Sequence, residues 1–106
     1  MTKHQQVADL LVELTNGLKA ANLWQNSRPP EQALQSQQPF ALDTLDFHQW
    51  LQFIFIEKMQ IIVQQQLTMP KQLCLTPIAD EAFSAQKSEN IAEILDVIKR
   101  IDQLFE

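Results

Sequence analysis

The sequence predicts an all-α protein: a four-helix, bundle-like single domain with a long proline-containing connection between its first and second helices. Three observations support this. Apolar residues recur at three- and four-residue spacing in separate stretches, the pattern of helices that each bury one face. One glycine and no tyrosine in 106 residues leave little for the hairpin turns and pleated faces of a sheet. At this length the chain has room for one core but not for two, because surface still dominates volume. Residues 1–106 are therefore expected to form one domain.

The first helix is expected over 3–24, where Val7, Leu10, Leu11, Leu14, Leu18 and Ala21 form the apolar stripe. Gly17 inside it costs about 1 kcal/mol relative to alanine, which suits close approach by another helix. The run Gln25-Asn26-Ser27-Arg28-Pro29-Pro30 ends the helix, since proline cannot continue it. Residues 25–42 then read as a connection with at most one helical turn, over Glu31 to Gln37, before Pro39. A connection that long is uncommon in a compact domain, so it is either packed over the bundle or functional.

The second helix is expected over 46–66, with Asp43, Thr44 or Asp46 as its N-cap and Pro70 beyond its end. With Phe47 at zero and about 100° per residue, Trp50, Leu51, Ile54, Phe55, Ile61 and Ile62 share one broad face. Ile56, Met59 and Val63 widen it. Gln49, Glu57, Gln60 and Gln64 mark a polar arc. So apolar a helix is expected at the centre of the fold.

Thr76-Pro77 reads as an N-cap followed by proline at the first helical position, with Asp80 and Glu81 near the positive end of the dipole. The third helix is expected over 77–86, burying Ile78, Ala79, Ala82 and Phe83. Ser88 caps a fourth, over 88–105, with Ile91, Ile94, Leu95, Ile98, Ile101 and Phe105 as its stripe.

Composition excludes several function classes. The formal net charge is −5 and no cluster of Lys or Arg stands against it, so direct nucleic-acid binding is not expected. Cys74 is the only cysteine, which rules out an intramolecular disulfide scaffold. Between Leu73 and Leu75 it reads as a small buried hydrophobe. The N-terminus has no apolar signal core and no run approaches the roughly 20 residues of a membrane span. A soluble, cytoplasmic protein is the expectation.

Gln38-Pro39-Phe40-Ala41-Leu42-Asp43-Thr44-Leu45-Asp46-Phe47, followed by Trp50-Leu51-Gln52-Phe53-Ile54-Phe55-Ile56, resembles the YqcC-like family of small bacterial helical proteins of unknown function. The resemblance extends from Trp24 through Pro77. It implies a bundle-like fold, no established activity and no catalytic residues to carry over. In some bacteria, genes of this family lie beside that of a tRNA-uridine pseudouridine synthase, which makes such an enzyme a candidate associate. Some members carry proline where this chain has Glu57, so the resemblance does not transfer a helix kink here.

The residues themselves offer little catalytic chemistry. Phosphate and dinucleotide loops need glycines where backbone approaches the ligand, and Gly17 is the only one. His4 and His48 are the only histidines, and Asp46 and His48 point about 200° apart on a helix, so they cannot share a metal ion. The carboxylate pairs Asp43 with Asp46 and Asp80 with Glu81 sit at helix starts, where the dipole accounts for them. No cofactor, metal or enzymatic activity is expected.

Two residues fit the pattern less well. Phe53 falls at about 240°, inside the polar arc. There it is either an exposed anchor for a partner or covered by the connection through Phe40 or Leu42. Lys58 falls at about 20°, on the apolar face, so it must snorkel out, pair with a carboxylate such as Asp102, or line a pocket. The leading expectation is a protein-interaction or adaptor domain with a protein partner or a second copy. Its candidate surface comprises Phe40, Asp43, Trp50, Phe53 and Lys58. The alternative is a small-ligand module with a pocket at Lys58.

Overall fold

The structure is a computed structural model that describes residues 2–37, 41, 43–84 and 88–105. Its elements are α1 (Lys3–Ala20), a single turn α2 (Glu31–Leu34), a composite helix α3, α4 (Thr76–Ala82) and α5 (Glu89–Leu104). Helix α3 runs without a break through Phe47–Trp50, a π-helical stretch Leu51–Ile56, and Glu57–Gln64. No strand occurs among the described residues, and the all-α, bundle-like class holds.

Helix α1 is the central element, packed against both α3 and α5. Asn90 Nδ2 donates to Ala20 O at 3.0 Å, Glu13 pairs with Arg100 at 2.9 Å, and the Lys3 ammonium sits 4.5 Å from the Phe105 ring centre. These contacts make α5 antiparallel to α1. His4 Nε2 bonds to Leu67 O at 2.8 Å just beyond α3, so α3 is also antiparallel to α1. Phe83, at the end of α4, meets Phe47 edge to face at 6.0 Å, while the start of α4 lies on Asp102 near the end of α5. Helices α1, α3, α4 and α5 thus alternate in direction, burying Leu14, Leu18, Leu51, Ile94, Ile98 and Ile101 completely.

Gly17 fulfils its expected role. A Cβ at that position would lie 3.0 Å from Ile94 Cγ1, so the missing side chain lets α5 settle against α1.

Helices α1 and α3 end before 24 and 66 because a left-handed residue intervenes. Asn22 has φ 60° and Gln66 φ 52°. In each case the amide two residues beyond the C-cap reaches back, Leu23 N to Leu18 O and Leu67 N to Ile62 O, both at 2.9 Å. This is the Schellman arrangement, usually built on glycine. With its only glycine spent at Gly17, the chain uses Asn and Gln instead.

Helix α4 begins one residue earlier than expected and stops at Ala82, with Pro77 at its second position. Its N-terminus is capped from another helix. The Asp102 carboxylate accepts from Leu75 N at 2.9 Å, Thr76 N at 2.8 Å and Thr76 Oγ1 at 2.5 Å. Asp102 therefore serves the dipole of α4 and is not the partner expected for Lys58. Ala82 is exposed and Ile78 only half-buried, because the short helix turns only Ala79 and Phe83 fully inward. Cys74 is exposed as well: the loop before α4 buries Leu75 and turns Cys74 outward. Ser88 caps α5 as expected, accepting from Ile91 N at 3.2 Å.

Two stability measurements follow. Gly17→Ala should bring no gain in the native background, yet stabilise an Ile94→Ala background by up to about 1 kcal/mol, since that change removes the clashing Cγ1. Equal gains in both backgrounds, by denaturant unfolding, would count against the close approach. Asp102→Ala should cost about 1–3 kcal/mol, clearly more than Asp80→Ala on the exposed side of α4. Equal costs would remove the capping role.

Candidate interaction surface

The π-stretch decides which side chains of α3 face where. An i→i+5 turn holds one residue more than an α-turn, so everything after it lags by about 100°. Met59 thereby takes the inward direction that a regular helix assigns to Lys58. Met59 is 2% exposed and Lys58 lies in solvent. Ile61, expected on the buried face, turns outward and is 49% exposed.

Within the stretch, Leu51, Gln52, Phe53, Phe55 and Ile56 are all buried. Gln52 is the one buried polar side chain among the described residues. Its amide pairs with the backbone of Gln25 on both sides: Gln25 N donates to Oε1 at 2.9 Å, and Nε2 donates to Gln25 O at 2.8 Å. Gln49 adds a further tie, donating from Nε2 to Gln25 Oε1 at 3.3 Å while its Oε1 accepts from Asp46 N at 2.8 Å. Arg28, three residues on, pairs with Glu57 at 2.6 Å and lies 5.8 Å from the Phe53 ring centre. A buried amide left unpaired would be costly, and here both of its functions are satisfied.

The expected surface residues do not converge. Phe40, like Leu42, lies outside the described residues. Asp43 is exposed and accepts a hydrogen bond from Ser36 Oγ. Trp50 is half-buried in an aromatic row, stacked on Phe47 at 5.7 Å and on Phe55 at 5.5 Å. Phe53 is not an exposed anchor, because the connection covers it, with Arg28 over its ring. Lys58 lines none of the three hollows that open between α1 and α3, between α1 and α5, and beside Cys74. Where the sequence suggests an ammonium lining a pocket, the side chain is exposed.

The hollows lie elsewhere. One of about 370 Å³ runs between α1 and α3, lined by Leu11, Val12, Thr15, Gln60, Val63 and Gln64 among others, without a charged residue. Val12 on its wall is 60% exposed. A second, between α1 and α5, carries Glu13, Glu93, Asp96 and Arg100. A third lies beside Cys74 and Asp102. Among the described residues no group of three or more His, Cys, Asp or Glu is placed to hold a metal ion, and no helix is long and apolar enough to cross a membrane. The sequence reading missed Gln25, Arg28 and Gln52. A signal for Gln52 existed: it is the single polar residue in the run 50–56.

His48 is half-buried, and that burial holds its pKa below the ordinary 6.5 despite the opposing pull of Asp46. The unfolded chain therefore binds a proton on His48 more readily than the folded one. The contribution is fully present above about pH 6.5 and is lost as the pH falls below it. His48→Gln should flatten the stability profile between pH 7 and 5, roughly the range in which histidine titrates. An unchanged slope in that variant would assign the acid sensitivity to other groups.

Comparison with known proteins places the chain. The DUF446 family model, described as tRNA pseudouridine synthase C, matches residues 6–104. An uncharacterised protein of Haemophilus influenzae is 27% identical over 99 residues, covering 93% of this chain and 92% of that protein. The uncharacterised protein YqcC of Escherichia coli is 29% identical over 105 residues, covering 99% and 95%. Its solution NMR structure superposes with a TM-score of 0.84 over 99% of this chain and 89% of that one. A protein named tRNA pseudouridine synthase C, from Pectobacterium carotovorum, is 32% identical over 71 residues. That match spans 67% of this chain but 19% of the synthase. With the family model covering nearly its whole length and the helices superposing on YqcC, the chain belongs to the YqcC-like, DUF446 family.

Proposed function

We propose that this chain is a non-enzymatic protein-interaction module that associates with a tRNA pseudouridine synthase of the C type. One observation carries the reading: the likeness to 19% of a protein bearing that name. Most of that synthase lies outside the match, so the shared part is a module beside the remainder rather than its equivalent. In this reading the module binds the enzyme and leaves RNA contact to it, in keeping with a net charge of −5 and the repulsion a phosphate backbone would meet. The uncharged groove between α1 and α3, with Val12 on its wall, is the surface best suited to the contact, since interface centres are depleted in charge.

The test mixes this chain with the pseudouridine synthase C of the same organism and follows both by size-exclusion chromatography with light scattering and by calorimetry. A stoichiometric complex that Val12→Asp weakens at least about tenfold, a loss of about 1.4 kcal/mol, is expected. Separate elution with no binding heat would refute the association. Binding that Val12→Asp leaves intact would move the contact to another face.

A further inference from the structure

The connection crosses α3 as a short strap whose attachments are few and of unequal strength. Its backbone is held at Gln25, through the two bonds to Gln52. From Asn26 to Pro29 no backbone hydrogen bond joins it to another described residue, and Pro29 and Pro30 have no N–H to offer. The next attachment is the Arg28 side chain. Its ion pair with Glu57 is 55% and 44% exposed, and such pairs contribute little and weaken in salt.

Phe53, beneath Arg28, is buried to 8% exposure but stands apart from the contiguous core that α1, α3, α4 and α5 share. Ala41 of the same connection and Leu45, just before α3, are likewise buried outside that core. Satellite patches of this kind, under a long loop, can open without disturbing the main core. Once the strap lifts, Gln25 and Gln52 both exchange each other for water, so no polar group is left dry.

We infer that residues 25–30 form a salt-sensitive strap, latched by Arg28 on Glu57 and Phe53, which opens as a unit while the four-helix core stays closed. Opening uncovers Phe53 and Gln52 on the π-stretch of α3. Here the π-stretch supplies the buried amide that receives the strap and the aromatic face that the strap hides.

Amide hydrogen exchange followed by NMR on the intact chain tests this, with the Gln25 amide as reporter and those of Leu14 and Ile98 as markers of the core. Gln25 should exchange at least about tenfold faster than the core amides after correction for intrinsic rates. Glu57→Gln should speed Gln25 a further two- to fivefold or so and leave the core amides unchanged. Raising the salt on the unmodified chain should act in the same direction, which guards against a variant that merely loosens the whole fold. Gln25 exchanging only in step with the core would overturn the strap. A Gln25 rate indifferent to both Glu57→Gln and salt would overturn the latch.

Discussion

One extra residue in the middle of α3 sets most of what surrounds it. A regular helix from Phe47 to Gln64 would drive the Lys58 ammonium into the bundle and place Phe53 among glutamines. Burying an unpaired ammonium is far costlier than widening one helical turn. The π-stretch Leu51–Ile56 absorbs the mismatch. Its lag turns Met59 inward and Lys58 and Ile61 outward, and it aims Gln52 at the start of the connection. The clamp on Gln25, the cover over Phe53 and the exposure of Ile61 all follow from that register.

The scarcity of glycine shapes the fold in a second way. The one glycine is needed where α5 meets α1, at Ile94. The left-handed positions that end α1 and α3 fall to Asn22 and Gln66. Helix α4, too short to stand alone, takes its cap from Asp102 across the bundle. Side chains of Asp and Gln thus supply partners that backbone turns provide elsewhere. The result ties the loop 65–75 to both α1, through His4, and α5, through Asp102.

Much of this was legible from residue spacing. The stripes of α1 and α5, the cap at Ser88, the close approach at Gly17 and the single turn after Pro30 need only the helical period and the chemistry of individual residues. What spacing could not show was any change of period within a helix. Assigning about 100° to every residue put Lys58 inside, left Gln52 unassigned and made Phe53 look exposed. The apolar neighbours of Cys74 suggest continuous burial, whereas the loop buries Leu75 and leaves Cys74 exposed. Asp102 reads from the sequence as a possible partner for Lys58, but its true partners are backbone amides 26 and 27 residues away. No local pattern encodes such a contact. The family resemblance read from 38–56 was sound, and it covers the very helix whose geometry the period misjudged.

The register of α3 is tested most directly by deleting Ile54, a half-buried residue inside the π-stretch. Removing one residue there should convert the wide turn into an ordinary α-turn and leave both flanks facing as they do now, with Met59 inward and Lys58 outward. The expected result is a cooperatively unfolding, fully helical domain whose stability falls by no more than about 3 kcal/mol, the range of ordinary single changes. If α3 were instead a regular helix, the same deletion would rotate Glu57–Gln64 by about 100° and bring Lys58 into the core. Loss of cooperative folding in the deletion variant would contradict the π-register on which the rest of the structure depends.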